Sequence, residues 1–389
     1  MIFNLYSIFI NKCLYIEIHW FSMDNKDILY YLALQSAEGI GDIIAKKLIS
    51  RCGSAQAVFE EKHYILGKIN GIGSLVIKGL KNSSLLISAE KEIEFINKNN
   101  INVTTYLDED YPEKLKHCID GPILLFQKGN INLKEKKIIS IVGTRIITNY
   151  GKSFLKEFIQ ELKKYDPVII SGLAYGIDIF THQLAMENSL QTIAVLAHGL
   201  DNVYPKVHQK DAAKMLENGG LISEFWSNTN PDRENFVKRN RIVAGLSEAT
   251  IVVESAAKGG SLITADIANS YNRDVFAVPG RTSDTYSKGC NQLIKSNKAA
   301  MITSVRDLEY ILNWKVEDLK AKNIQKQLFI ELDENEKNIY NYLLNEGKQN
   351  LDVIALNCKF PIQKTVSVLL NLELKGVAKP LPGKMFEAV

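Results

Sequence analysis

Three short segments combine glycine with hydroxyl and cationic side chains where backbone N–H groups can gather: IVGTR at 141–145, SGLAYGID at 171–178 and VESAAKGGSLITA at 253–265. Each follows an apolar run and precedes a helical pattern. Turns of this kind bring N–H groups and helix N-termini to one edge of a parallel sheet, and that edge holds phosphate. A fourth segment, RENFVKRNR at 233–241, sets four cations against one carboxylate around a single ring, Phe236. Cations interleaved with an aromatic suit a phosphodiester strand whose unstacked bases need a flat surface.

The elements that must position these groups alternate regularly. Apolar strand candidates are 138–142, 168–171, 192–197, 221–224, 249–254, 275–278 and 300–303, with helical stretches such as NYGKSFLKEFIQELKKY between them. A further short strand at 123–127 is expected to join the edge of the sheet. Continuous apolar strands joined by helices imply a mostly parallel sheet covered on both faces. Ligands of such sheets lie beyond the C-terminal ends of the strands, where the glycine turns fall.

Bulk properties bound the class. The chain has 389 residues, 46% hydrophobic and 23% charged, enough for two or three globular domains. A formal charge of +3 does not by itself imply nucleic acid. The five cysteines are scattered, with no CxxC pair, which points to a reducing cytoplasm. The six histidines show no zinc-ligand spacing, so no metal is expected. No cofactor is expected either: TNYGKS lacks the glycine that a P-loop needs at position 146, which is isoleucine, and VGTR lacks GxGxxG spacing.

Residues 1–22 are apolar but broken by Asn11, Lys12, Glu17 and His19, with no cleavage site following, and are expected to be an overextended start. From 23 to about 100 the pattern is helical and twice punctuated by Gly-Ile-Gly, in EGIGDIIAKKLI from Glu38 and NGIGSLVIKGL from Asn70. This looks like two helix-hairpin-helix units. Two readings stand: the turns approach a DNA backbone, or the glycines only let the helices pack. The polar run at 315–332 reads as a linker. Residues 333–389 read as three short helices and a two-strand wing, which looks like a winged helix. Its third helix carries only Lys364 and Lys375 as cations, which argues for regulation or partner contact over base reading.

From about Tyr106 to Leu308 the chain resembles the DNA-processing protein A family, DprA or Smf. The motifs that carry the resemblance are IVGTR, SGLAYGID, TIAVLAHGLDNVYP at 192–205, KRNRIVAGLS at 238–247, KGGSLITADIA at 258–268 and VFAVPG at 275–280. The resemblance implies an α/β fold with an extended Rossmann-like sheet at 105–314, flanked by the N-terminal helical domain and the C-terminal winged helix. It also implies a homodimer that binds and protects single-stranded DNA during natural transformation and loads the RecA recombinase onto it. No enzymatic turnover is implied.

Carried onto this chain, the resemblance assigns DNA contact to Gly143, Thr144 and Arg145 in the first turn, and to Ser171, Gly172 and Gly176 in the second. Gly143 and Thr144 would offer backbone N–H and hydroxyl donors, and Arg145 a bidentate guanidinium. Asp178 is expected to cap the following helix. Lys206 stands where the family commonly has a DNA-contacting lysine, against the bland reading of a solvated side chain. Phe236, Lys238, Arg239 and Arg241 form the basic segment. Residues two apart on a helix do not share a face, so one of the two arginines is expected to pair with Glu224 or Glu254. Phe236 either stacks a base or joins a core stripe with Ile242 and Val243. Lys258, Gly259, Gly260, Ser261 and Thr264 make the third wall. Two positions depart from the family pattern: Tyr175 replaces a small or charged residue, and Gly259-Gly260-Ser261 replaces Ser-Gly-Ser.

Two enzymatic readings compete. A similar glycine-walled sheet serves phosphoribohydrolases, but their PGGxGTxxE glutamate has no counterpart in AAKGGSLITADIA, where Asp266 is the nearest carboxylate. A nuclease would need clustered acids, and Asp178, Asp201, Glu224 and Glu254 fall on separate elements.

Overall fold

Alternate residues of the apolar runs go to opposite faces of one sheet. Ile138 and Val142 enter one core and Ile139 and Ile141 another, because successive strand side chains point in opposite directions. The computed structural model describes residues 25–314, 332–381 and 383–388. They belong to two compact units divided after residue 316. The expected overextended start at 1–22 lies outside the described residues, as does the expected linker apart from Leu332.

In the first unit the strands are β1 (Asn102–Thr105), β2 (Leu124–Asn130), β3 (Ile138–Val142), β4 (Val168–Ser171), β5 (Thr192–Val195), β6 (Gly219–Ser223), β7 (Ala249–Val252), β8 (Asp274–Ala277) and β9 (Ala300–Met301). They form one sheet in the order β1-β2-β6-β5-β4-β3-β7-β8-β9. β6 to β9 in that order are parallel, while β1 and β2 add antiparallel at one end. The order reverses between β3 and β7, so the chain leaves these neighbours in opposite directions and opens a crevice at their C-terminal ends. The strand expected at the edge, β2, is second from it. The edge is β1, hidden in a polar stretch that becomes strand only by pairing Asn102–Thr105 with Leu124–Gln127.

Before the sheet come helices α1 (Asn25–Ser36), α2 (Asp42–Cys52), α3 (Ala55–Glu60), α4 (His63–Leu66), α5 (Ser74–Leu80) and α6 (Ser84–Lys98). The two Gly-Ile-Gly turns share one backbone form: Gly39 and Gly71 have φ of +78° and +85°, and Gly41 and Gly73 are extended N-caps of α2 and α5. The two turn regions also pack on each other. A Cβ on Gly79 would stand 2.2 Å from the Glu38 carbonyl oxygen, and one on Gly39 would meet Leu75 at 3.0 Å. These helices share a single apolar core with Leu124, Phe126, Ala194 and Leu196 of the sheet region.

The remaining helices of this unit are α7 (Glu113–Lys116), α8 (Asn149–Leu162), α9 (Ile177–Glu187), α10 (Gln209–Met215), α11 (Arg233–Leu246), α12 (Gly260–Ser270), α13 (Lys288–Lys295) and α14 (Val305–Leu312). α8 shows why such segments are helical. Leu155, Phe158, Ile159 and Leu162 recur at the spacing of one helical face and are buried, and Thr148 caps the start by accepting from the Gly151 N–H.

The second unit holds α15 (Glu334–Glu346), β10 (Gln349–Asn350), α16 (Leu351–Asn357), α17 (Ile362–Leu374), β11 (Ala378–Leu381) and β12 (Met385–Ala388). The strands order as β10-β12-β11, with β11 and β12 as the wing of a winged helix. The two cations expected on the third helix, α17, are engaged: Lys364 reaches Asn335 and the Phe360 ring, and Lys375 reaches Glu336 at 2.5 Å. Ile362, Val366, Leu370 and Leu374, four residues apart along α17, are exposed. No single described helix is long and apolar enough to cross a membrane.

Candidate nucleic-acid interface

At the crevice between β3 and β7 the three glycine turns enclose a cleft of about 960 Å³ whose far side is α11. The turns are held by main-chain bonds. Thr144 N–H donates to the Glu254 carbonyl at 2.7 Å, and the Thr144 carbonyl accepts from Ile177 N–H at 3.1 Å. Gly143 is required here, since a Cβ would lie 2.5 Å from Ile177. Gly176, at φ +75°, lets the second turn close on the first: a Cβ there would be 2.3 Å from the Thr144 carbonyl oxygen. The N–H expected to serve as a donor at Thr144 is therefore already used. Its hydroxyl oxygen accepts from Ile146 N–H at 3.2 Å, which leaves the hydroxyl proton to donate.

Eleven of the sixteen residues assigned from sequence line this cleft: Gly143, Thr144, Arg145, Gly172, Phe236, Arg239, Lys258, Gly259, Gly260, Ser261 and Thr264. The other five, Ser171, Gly176, Lys206, Lys238 and Arg241, do not. Ser171 is fully buried, and its hydroxyl donates to the Ile141 carbonyl at 2.6 Å, tying β4 to β3. Lys206 is exposed on a one-turn 3-10 helix, Lys206–His208, outside the cleft.

The third wall ends at the N-terminus of α12. Gly259 is its N-cap and no side chain caps the helix, so its first N–H groups are left for a ligand or water. Ser261 Oγ lies 2.9 Å from Ser255 Oγ, which commits that hydroxyl to the wall itself. Lys258 is exposed beside it.

α11 divides its charges by face. Arg233, Phe236, Val237 and Asn240 recur at helical spacing and line the cleft. Arg239 also lines it but is buried, donating to the carbonyls of Gly172 at 2.8 Å and of Val195, the ends of β4 and β5. Burial lowers its pKa to about 10, so it stays charged at neutral pH. Lys238 and Arg241 turn to the other face. Arg241 is 6% exposed and reaches Glu224 at 2.5 Å, Asp42 at 3.1 Å and the Asp120 carbonyl. Lys238 meets the same Glu224 at 2.9 Å. The DNA contact assigned to Arg241 is thus corrected: its donors are spent on buried acceptors. Burial pushes the Glu224 carboxyl up, and the two cations pull it back.

The half-buried Phe236 ring lines the cleft. The guanidinium carbons of Arg145 and Arg239 each lie 5.8 Å from its centroid, and it belongs to none of the apolar clusters of the described residues. The core-stripe reading of Phe236 therefore fails, although Ile242 and Val243 are core. Asp178 does not cap α9, whose N-cap is Gly176. Its carboxylate instead accepts from the N–H groups of Gly172 at 3.2 Å and Ala174 at 3.3 Å, bracing the second turn. Burial raises its pKa, against the pull of Arg239. Among the described residues no group of three or more His, Cys, Asp or Glu could hold a metal ion.

Arg233, counted among the cations of the basic segment, and Asn240 were assigned no DNA contact from the sequence, though their spacing from Phe236 carries the signal. Tyr204, whose ring centroid is 6.2 Å from that of Phe236, gives no such signal, because the pair is brought together only by the fold.

Comparison with known proteins gives a consistent result. A family profile described as DNA recombination-mediator protein A matches residues 102–313, and one described as the DprA winged helix domain matches 330–384. Protein Smf of Escherichia coli strain K12 is 33% identical over 76% of this chain and 80% of its own length. The DNA processing protein DprA of Streptococcus pneumoniae is 40% identical over 52% of this chain and 71% of its own. Its X-ray structure aligns with a TM-score of 0.61 and 30% identity, covering 76% of this chain and 99% of that one. A structure of DNA processing protein A from Helicobacter pylori, described by its single-stranded DNA binding mode, aligns with a TM-score of 0.50 and 28% identity, over 55% and 95% of the two chains.

Proposed function

Because this chain belongs to the DNA recombination-mediator protein A family, DprA or Smf, we propose that it binds single-stranded DNA in the cleft between β3 and β7. The observation that carries the reading is the Phe236 ring set against Arg145 and Arg239 in the lining of a glycine-walled cleft. Glycine turns and the open start of α12 offer N–H groups to phosphate, and Arg145, Arg233 and Lys258 add charge. The ring offers a surface to an unstacked base. A duplex hides its base faces and suits such a site poorly.

On this reading the protein protects incoming single strands during natural transformation, hands them to the RecA recombinase, and acts as a homodimer. The family membership and the binding mode named for the Helicobacter pylori relative support it. The four described cysteines, Cys52, Cys118, Cys290 and Cys358, are free thiols, which supports action in the cytoplasm. The engaged cations and exposed apolar residues of α17 support a regulatory or partner-binding role for the winged helix over base reading.

Binding without turnover is favoured over hydrolysis by what the nearest acids already do. Asp266 pairs with Lys298 at 2.9 Å, and Asp178 braces the second turn. The test is equilibrium binding of a fluorescent single strand across a salt series, with duplex and a nucleoside monophosphate as competitors. Salt-dependent binding that neither competitor displaces well is expected. Efficient displacement by the mononucleotide would overturn it in favour of a phosphoribohydrolase-type pocket.

A further inference from the structure

Outside the cleft stand two exposed tyrosines, one beside Phe236 and one beside the turn that follows it in space. Tyr204 is 48% exposed, and Phe236 is its ring neighbour at 6.2 Å. Past it comes the one-turn helix Lys206–His208, with Lys206 and Val207 exposed. At the end of that turn the His208 ring lies 5.1 Å from the Tyr175 ring at an interplanar angle of 68°. Tyr175 is itself 49% exposed. Ring contacts thus join Phe236 to Tyr204, and the Lys206–His208 turn just after Tyr204 joins it to Tyr175.

The turn that presents Tyr175 is held in place from below. Leu173, fully buried, adopts a positive φ of +58°, rare for a residue with a branched side chain. His208 Nδ1 sits 2.8 Å from the Leu173 carbonyl, and Asp178 takes the Gly172 and Ala174 N–H groups. The backbone on both sides of Leu173 is thus fixed, and a large ring stands half in water two residues later. An exposed aromatic at a braced turn is a surface for something flat.

We infer that Tyr204 and Tyr175 are further base-stacking rings, which carry a single strand out of the cleft past Lys206. The inference rests on the single-strand reading above and extends it to residues outside the cleft. Phe236 already has two guanidinium groups within cation–π distance, whereas Tyr204 and Tyr175 are each about half exposed and have no cation over the ring among the described residues. The tyrosines are therefore the more available platforms, and they are reached only by strands longer than the cleft holds.

The test uses the full chain and oligothymidylates from about 4 to about 16 nucleotides. Tyr204→Leu and Tyr175→Leu are expected to bind the shortest strands like wild type and the longest about five-fold or more weakly, with unchanged salt slope. Tyr204→Phe and Tyr175→Phe are expected to keep wild-type affinity, since stacking needs only the ring. Equal binding of long strands by the leucine variants, or a loss independent of length, overturns the inference. Photocrosslinking of wild-type protein to a strand carrying 5-iododeoxyuridine at successive positions gives a readout free of folding effects. Adducts on Tyr204 or Tyr175 support the inference, and adducts confined to the cleft overturn it. If wild type binds strands of no length, the single-strand reading itself fails. If it binds them through Arg145 and the tyrosine variants are silent, only the extension fails.

Discussion

Arg239 and Arg241, two residues apart on α11, send their guanidinium groups to opposite sides of the helix and serve the same end. Arg239 ties the ends of β4 and β5 together under Phe236, and Arg241 ties α11 to Glu224 and to Asp42 of α2. The rule that residues two apart do not share a face holds. What it left open is that α11 is packed against on both sides at these two positions, so both arginines are buried.

Replacing Arg241 by alanine would leave Glu224 and Asp42 short of their shared cation. The expected loss is about 3 to 5 kcal/mol of unfolding free energy, read by urea titration. Arg145→Ala, at an exposed position, should change stability by no more than about 0.5 kcal/mol. It should nonetheless lower the log-log salt slope of single-strand binding by about 0.7. The reverse pattern would mean that the two assignments are exchanged.

Phe236→Leu should weaken single-strand binding by about 1 to 3 kcal/mol without altering the salt slope, because stacking releases no counterions. A lower slope would show that the ring acts mainly by holding Arg145 in place.

The glycines of the two hairpins are expected to divide into two kinds. Gly79→Ala forces a backbone clash with Glu38 and should cost about 2 kcal/mol or more in thermal or urea unfolding. Gly41 and Gly73 have ordinary negative φ, and a Cβ on either would meet nothing within 4 Å, so alanine there should cost about 0.5 kcal/mol or less. If either substitution nonetheless weakens DNA binding, the turn meets DNA. Unchanged binding to both single strands and duplex assigns the hairpins to packing alone.

His182 gives a pH signature. Its Nδ1 is 2.7 Å from Thr192 Oγ1, which itself donates to the Ile169 carbonyl, so the imidazole carries its proton on Nδ1. Nε2 is buried with no hydrogen-bond partner among the described residues, and burial lowers the pKa from 6.5 to about 3. The unfolded chain thus binds a proton that the folded one refuses, and stability falls as pH drops from 6.5 toward about 3. Between about pH 6.5 and about pH 4.5 the wild type should lose about 2 kcal/mol more than His182→Asn. Asp178 and Glu224, with raised pKa values, push the other way, and the difference between the two proteins removes their share.

Legibility in the sequence followed the range of the forces involved. β3 and β4 are where their apolar runs lie, because a strand buried on both faces is apolar nearly throughout, its serines tolerated only with a partner. β1 was missed because Asn102–Thr105 is strand only through its pairing with β2. The glycine walls were legible from turn chemistry. So was the pairing of one α11 arginine with Glu224, which Arg241 makes; the fates of Ser171 and Lys238, and the part of Asp42 in holding Arg241, were not, because each depends on a partner from a distant segment.

The Asp42 contact makes the N-terminal helices inseparable from the sheet in charge as well as in packing. Lys238 and Arg241 are balanced by Glu224 and Asp42, and Asp42 also accepts from the Ile123 N–H at 3.0 Å. A chain trimmed to start at residue 102, where the family profile begins, would carry one cation too many under α11 and a main-chain donor without its acceptor. The smallest piece that keeps this balance begins upstream of α2, and a minimal DNA-binding fragment should be cut there.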